Sequence, residues 1–545
     1  MLVKCIYYAR EKAEIMELME QVYKLCNEWE ENISLESDNI PVRLLDKTLE
    51  VFAAVRKQPA ELQETVTDCF HEIALKCNPV LKVWLYSVLI SVTHRVSIME
   101  ELLEYIISES EFLPEVKYFL YQQTAFKIFQ TNYFDNENTR YLRWKLLEQI
   151  VALYKEKTKH LLKYIPYEQR NTSMVFVIAE QVLSEYHAPT KIAFEKCKFL
   201  IEKMQKKVLL ISTEEILSLA GRIPYFYTRE KTKDDFLRVH QFREWKGIKI
   251  PYFQCDDNMP NIDDLCAILT MIQNTKPEFV LSIGAGNSIL ANLIDEIVPV
   301  LTYGTTSEIQ ETMTSCQTLA RKLETNDFQL LDKAGADKKT IIEIKPKTVI
   351  DAQKSFVTRQ QIGLPEDKFI IAIVGNRLES EADEKFMHML EDALDEEMFV
   401  AVIGRSLFDP FENYMQKKPG MRNKIKNLGY SDQLLSWLER CDLYVNPYRR
   451  GGGLSAIYAL YQGVPVVSLA YGDVFRNVGE EFCTESYDAM AGLIKKYKND
   501  KEFYQKMSVF SKERAKTLTE NEEDFKSIIE EFLKRTNDKV KSETL

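Results

Sequence analysis

Residues 442–467, DLYVNPYRRGGGLSAIYALYQGVPVV, constrain the fold more than any other stretch of this chain. Asp442 to Val445 reads as a short apolar strand, Leu454 to Gln462 as a helix, and Val464 to Leu469 as a second strand. A strand, a helix and a strand in that order make a βαβ unit, whose strands run parallel. The turn between the first two elements holds Gly451, Gly452 and Gly453, three of only 18 glycines in 545 residues. A glycine turn at a helix N-terminus leaves backbone amides uncovered, and the helix dipole favours an anion there. Arg449 and Arg450 are expected to add mobile positive charge, and Ser455 a hydroxyl in the first turn. Such a place suits a phosphate or diphosphate, although a tight turn without a ligand fits the run taken alone.

The same grammar extends in both directions. Met174–Ile178, Lys207–Ser212, Phe279–Ile283 and Val298–Thr302 are apolar strand runs, and a helix is expected over Thr190–Lys203. After a charged stretch near 325–340, read as irregular, strands recur at Phe369–Val374 and Phe399–Ile403. Two parallel α/β lobes in series are therefore predicted. Before them, residues 1 to about 165 show apolar positions at three and four spacings with few glycines or prolines, the pattern of packed helices. No clean 34-residue repeat is present. The predicted organisation is an all-α domain over 1–165, a first Rossmann-like lobe over 166–339, a second over 340–515, and a C-terminal amphipathic helix and tail over 516–545.

Composition narrows the partners. A net charge of −12 argues against nucleic acid, which needs a basic face, but allows a small basic pocket. The N-terminus has no signal-like apolar run, and no ~18-residue apolar stretch occurs. A cytoplasmic protein is expected. Ten cysteines are scattered without a C-x-x-C pair, so reduced thiols in the core are expected rather than zinc ligands or a disulfide framework.

Ligands of doubly wound sheets bind at the carboxyl ends of strands, and four loops are placed for that. The first is Gly451-Gly452-Gly453-Leu454-Ser455, following Asn446. The second is Gly375-Asn376-Arg377, directly after a buried strand, where an arginine fork can reach phosphate oxygens. The third is Asn427-Leu428-Gly429-Tyr430-Ser431, read as a loop after a basic helix whose backbone could meet a nucleobase. The fourth, in the first lobe, is Gly284-Ala285-Gly286-Asn287-Ser288, which lacks the full G-x-G-x-x-G spacing and is a candidate for the acceptor or donor side. Each also fits an ordinary surface turn.

His187, in SEYHAPT, follows the first strand of the first lobe and precedes a helix that Pro189 and Thr190 could start. A histidine titrates near neutral pH, so His187 is the candidate base or positioning group. His71, His94, His160 and His388 lie in helical patterns, and His240 is ambiguous. No G-x-S-x-G elbow, Walker lysine loop or H-E-x-x-H is present. The acidic doublets Asp256-Asp257 and Asp263-Asp264 read as solvated faces, and no Asp-x-Asp ends an apolar strand. No metal site is expected.

Taken together these residues resemble a glycosyltransferase of the two-lobed GT-B fold. The likeness is strongest over 369–516, through IAIVGNRL, NLGY, CDLYVNPYRRGGGLSAIYALYQGVPVV and YGDV, and weaker over 172–310, through VFVIAEQVLSEYHAPT and FVLSIGAGNS. The resemblance implies that the glycine segment clasps the diphosphate of a nucleotide sugar. Retaining members of the common bacterial type carry two glutamates eight positions apart around this motif, and Arg450 and Tyr458 stand there instead. The NPY–glycine stretch behind a helical domain is more similar to the cytoplasmic bacterial adhesin N-glucosyltransferases and the O-GlcNAc transferases. That resemblance implies an inverting, metal-independent transfer from a UDP-sugar to a protein or peptide. His187 would lie in the active-site loop and Arg377 at the diphosphate, and the helical domain would hold the acceptor, a second copy of the chain or a partner subunit. A polysaccharide or lipid-linked acceptor, or a non-catalytic subunit of the same fold, are the alternatives.

Overall fold

The computed structural model describes residues 2–32, 42–130, 132–183, 187–215, 241–255, 259–284, 286–345, 347–350, 356–405, 408–519 and 522–543. His240 and the Asp256-Asp257 doublet lie outside the described residues. The chain falls into two units, one holding the helices of residues 2–128 and 133–149, the other holding both sheets.

The helical unit is built as its periodicity predicts. Pro79–Thr93 is apolar almost all round and is buried accordingly. Its start is set by Asn78, whose side chain accepts from the Leu81 amide at 3.0 Å, with Pro79 in the first turn. The Trp84 ring on this helix packs 4.8 Å from Trp29 of Leu2–Asn32. Trp29 in turn donates to Thr48 Oγ1 at 3.0 Å, so the buried indole nitrogen is satisfied.

In the second unit the first lobe is an eight-stranded sheet. Its strands are β1 (Asn171–Ala179), β2 (Lys207–Ser212), β3 (Gln241–Trp245), β4 (Ile248–Gln254), β5 (Pro277–Gly284), β6 (Val300–Gly304), β7 (Cys316–Leu319) and β8 (Ile341–Glu343). They lie in the order β3-β4-β2-β1-β5-β6-β7-β8, parallel except for the β3–β4 hairpin. The helix expected after β1 spans Ala188–Glu202 and buries Ala193, Phe194, Cys197 and Leu200. The stretch read as irregular near 325–340 instead contains a helix, Thr325–Ala334. Glu324 and Asp327 form its capping box and Gly335 closes it in the left-handed region.

The second lobe is a six-stranded parallel sheet of β9 (Phe369–Val374), β10 (Met398–Ile403), β11 (Ile425–Gly429), β12 (Leu443–Val445), β13 (Val466–Leu469) and β14 (Cys483–Thr484). The order is β11-β10-β9-β12-β13-β14, the 3-2-1-4-5-6 arrangement of a dinucleotide-type Rossmann sheet. Chain direction across the sheet reverses between β9 and β12, so the loops after these two strands diverge and leave a crevice at their carboxyl ends. The first lobe reverses in the same way between β1 and β5.

The C-terminal helix expected within 516–545 is Glu522–Glu543, and a separate helix, Lys501–Leu518, precedes it. Lys501–Leu518 lies against the second lobe, and Glu522–Glu543 returns to the first, where Phe525, Ile528, Ile529 and Phe532 join the core around β1, β2 and β5. Buried Lys196 places its ammonium 4.3 Å from the Phe525 ring and 4.9 Å from Tyr303, a cation held on two aromatic faces. No described helix is long and apolar enough to cross a membrane. Nine of the cysteines are described and all are free.

Candidate active site at the switch point of the second lobe

The loops after β9 and β12 bring Gly375, Asn376 and Arg377 against Gly451, Gly452, Gly453 and Ser455. A methyl group on Gly451 would lie 3.3 Å from Arg377 Nη2, so the two loops touch across the crevice. The helix that follows, Gly453–Gln462, starts from Gly452 at φ 94°, a left-handed conformation that glycine adopts without strain. Its N-terminus therefore opens into the crevice beside Arg377. The Arg377 side chain is 36% exposed and donates from Nη2 to Glu381 Oε1 at 3.1 Å.

Arg449 departs from the expectation of mobile charge. It is buried, and its guanidinium donates from Nε to Asn446 Oδ1 at 2.7 Å and from Nη1 to Glu381 Oε2 at 2.9 Å. Nη2 donates to the Val374 carbonyl at 2.7 Å and to the Tyr444 hydroxyl at 3.1 Å. The acceptors come from the ends of β9 and β12 and from the short helix Leu378–Glu381, all closing around one planar fork. Asn446 is likewise buried, its amide donating to the Pro447 carbonyl at 2.9 Å and to Ser468 Oγ at 3.1 Å. Ser455 lies 2.8 Å from the Tyr444 hydroxyl and donates to the Gly452 carbonyl at 2.9 Å. These buried groups shape the loop, while the part-exposed Arg377 lies beside Gly451, its guanidinium over the Phe129 ring at 4.6 Å.

Asn376 accepts the Arg405 amide at 2.9 Å, tying the loop after β9 to the loop after β10. Asn427–Gly429, read as loop, is instead the end of edge strand β11, and Gly429 accepts the Gly404 amide at 2.9 Å. Beyond it the Tyr430 ring is half exposed, and the Arg405 guanidinium stacks on it at 4.3 Å. A flat cationic and aromatic surface thus stands two to three strands away from the glycine loop.

In the first lobe His187 takes the N-cap position of Ala188–Glu202, with Nδ1 3.0 Å from Thr190 Oγ1. Thr190 Oγ1 also accepts the Leu183 amide at 3.0 Å, which fixes the loop after β1. Burial pulls the His187 pKa down to about 4, so the ring is neutral at neutral pH. Asn287 and Ser288 are buried in the loop after β5. Ser288 caps the helix Ile289–Ile294 by accepting from Ala291 at 3.0 Å, and its hydroxyl bonds to Glu215. A side chain on Gly286, at φ 79°, would collide with Gln310 Cβ at 2.6 Å. The Ser288 bonds and the close packing at Gly286 fix the course of the loop.

Contacts between the lobes bring the two switch points face to face. Lys191, one turn into the helix that starts at His187, donates to the Tyr458 hydroxyl at 3.2 Å on the helix that starts at the glycine loop. Ser307 donates to Asp473 Oδ1 at 2.6 Å, and the Asp473 amide donates to the Arg450 carbonyl at 2.7 Å. Arg476 pairs with Glu324 nearby. Asp473 and Glu381 were not singled out from the sequence. The Glu381–Arg449 and Asp473–Ser307 bonds join residues distant along the chain, and spacing carries no trace of them. Asp263-Asp264 lies in the first turn of a capped helix, Ile262–Thr275. Among the described residues no three His, Cys, Asp or Glu side chains are grouped to hold a metal ion.

Residues 355–514, which span the whole second sheet and its crevice, match the family described as Glycosyl transferases group 1. No curated protein matches the chain. Solved structures similar to it include Anabaena Alr3699/HepE in complex with UDP, at 14% identity over 68% of this chain and 99% of that one, with a TM-score of 0.45. A mutant of the Thermobaculum terrenum O-GlcNAc transferase aligns over 97% of this chain and 98% of that one, at 10% identity and a TM-score of 0.48. The pneumococcal O-GlcNAc transferase GtfA, in complex with UDP and GlcNAc, aligns over 67% of this chain and all (100%) of that one, at 11% identity and a TM-score of 0.43. The protein is thus an enzyme, a glycosyltransferase, whose second lobe is similar over residues 355–514 to the group 1 family.

Proposed function

We propose that this enzyme transfers a hexose or N-acetylhexosamine from a UDP-sugar to a protein or peptide side chain, with inversion and without a metal. The observation that carries the reading is the meeting of Arg377, the glycine loop and the N-terminus of Gly453–Gln462 in one crevice. A guanidinium beside a helix N-terminus can supply the positive field that a departing diphosphate needs. The stacked Arg405 and Tyr430 offer a surface for the base of the nucleotide.

His187 opens the first-lobe helix that Lys191 joins to the glycine-loop helix. A neutral imidazole there can accept a proton from, or orient, an acceptor group attacking the anomeric carbon. The absence of a glutamate at Arg450 and Tyr458 supports inversion over the two-glutamate retaining pattern. The helical unit would hold the acceptor, a second copy or a partner subunit, in a cytoplasmic setting.

The test is release of UDP from UDP-glucose, UDP-galactose, UDP-GlcNAc and UDP-GalNAc in excess EDTA, for the parent and for His187→Ala. Slow release from one donor, lost in the variant, is the expected result. A strict requirement for a divalent metal would overturn the metal-free reading. Product recovered on a glycan or in the lipid fraction, with none on protein, would overturn the acceptor assignment.

A further inference from the structure

We propose that Arg449 is a positioning residue for the donor's diphosphate. Its buried guanidinium holds the loops after β9 and β12 in the one relative placement that lets Arg377 and the glycine-loop amides face the same anion. The inference rests on the UDP-sugar reading above.

Three observations carry it. The first is connectivity: the fork bonds to the Val374 carbonyl at the end of β9, to Tyr444 and Asn446 at the end of β12, and to Glu381 beyond Arg377. No other residue described above bonds to both walls of the crevice and to the helix behind it. A lysine at this place keeps the charge but not the planar, multiply donating geometry.

The second is space. A methyl group on Gly452 would lie 2.5 Å from Arg449 Nη2 and 2.8 Å from Cζ. One on Gly375, in the opposite loop, would lie 2.6 Å from Arg449 Nη1. Two glycines from two loops are therefore pressed against the same fork, one at Nη2 and one at Nη1. At these positions the glycine run and the Gly375 turn are shaped by a side chain of the protein itself, and this sets how closely the two loops approach.

The third is the shared carboxylate. Glu381 accepts from Arg449 through Oε2 and from Arg377 through Oε1, at 2.9 and 3.1 Å. The buried arginine thus fixes the carboxylate on which the exposed arginine rests. A displacement of Arg449 moves both the loop and Arg377, which is how a residue that touches no ligand can alter ligand geometry. Buried ion pairs add little net stability over apolar packing of the same volume, so the distinctive contribution of this fork is geometric.

The experiment is calorimetric titration of UDP into the full-length parent, Gly375→Ala, Gly452→Ala, Arg449→Lys and the Arg449→Lys/Gly452→Ala double variant, with Tm measured on each. Every single variant is expected to weaken UDP binding ~10-fold or more, because small misplacements of binding groups are costly. In the double variant the loss should be clearly smaller than the product of the two single losses, since a lysine lacks the Nη2 that the added methyl meets. UDP affinity within about twofold of the parent in Gly375→Ala and Arg449→Lys, with only Tm lowered, would overturn the proposal, as would strictly multiplicative losses. If Arg449→Lys does not fold, Gly375→Ala decides, because its methyl would meet an intact Arg449 first, at Nη1, whereas Gly452→Ala also strains a left-handed backbone. A parent that binds no UDP overturns the donor reading and this inference together. A parent that binds UDP beside insensitive variants overturns only the role of Arg449.

Discussion

The Lys191 ammonium lies 3.2 Å from the Tyr458 hydroxyl and so joins the helix that begins at His187 to the helix that begins at the glycine loop. Both helices start at the switch point of a doubly wound sheet, the place where such sheets bind ligands. The candidate base and the candidate diphosphate site therefore face each other, although more than 250 residues separate Lys191 from Tyr458 in the chain.

Arg377→Ala should lower the UDP-sugar kcat/KM by ~10²-fold, the scale of losing one charge-stabilising donor. Stability should change by no more than about 0.5 kcal/mol, because the side chain is a third exposed and Glu381 keeps its bond to Arg449. Kinetics and thermal melts on one preparation check both parts. A large loss of Tm with unchanged kinetics would make Arg377 a structural residue.

His187→Ala should reduce kcat by ~10²–10⁴-fold while UDP still binds, since the residue lies in the other lobe from the glycine loop. With its pKa near 4 the imidazole is already unprotonated across the neutral range. The parent's rate should thus be flat from about pH 6 to 8 and fall only as protonation begins below that. A steep rise in rate through the ordinary histidine range would refute the assignment. The same depressed pKa means that the unfolded chain binds a proton at this site before the folded one does. His187 therefore contributes stability above its unfolded pKa that is lost as pH falls toward about 4.

Asp473→Asn tests the junction between the lobes. Burial raises the Asp473 pKa, and the Ser307 hydroxyl bond opposes it. A raised carboxyl pKa makes the folded state bind the proton more readily than the unfolded state, so ionisation costs stability as pH rises. Asparagine keeps an acceptor for Ser307 without the charge. Relative to the parent, the variant should gain stability as pH rises from about 4 to 7. Urea melts at the two pH values read this directly, and a constant difference would sink the argument.

Phe532→Ala should cost ~3–5 kcal/mol, the range for emptying a buried aromatic site. The ring is fully buried and packs 5.6 Å from Phe279 of β5, on a helix that crosses back from the second lobe. Denaturant unfolding followed by tryptophan fluorescence would show whether the loss falls on the first lobe. A cost under about 1 kcal/mol would mean that the last helix is not part of that core.

Much of this molecule was legible before any coordinates. Continuous apolar runs announced β1, β2, β5, β9 and β10 because strands buried on both faces of a parallel sheet need no alternation. The βαβ unit at 442–467 announced parallel pairing, because a helix must intervene between parallel neighbours. The loops after β9 and β12 could be nominated for the same reason: the end of a buried strand is where such sheets expose backbone. Edge elements were harder to see. Ile425–Gly429 is half exposed and contains lysine and asparagine, so it read as loop. The β3–β4 hairpin turns through Lys246 and Gly247, both at positive φ, and its short outer strand is mostly exposed.

Only the tertiary structure decided what the arginines do. Arg449 and Arg450 are adjacent in sequence and equivalent in charge, and nothing local marks the first as buried. Its burial is set by a carbonyl on β9 and a carboxylate on the Leu378–Glu381 helix, tens of residues away. The glycines show the same division. Sequence determined that a turn before a helix stands at 451–453, because backbone preference is local. The partners that forbid a side chain there, Arg449 at Gly452 and Asn477 with Asp473 at Gly453, are set by packing, which no local pattern encodes.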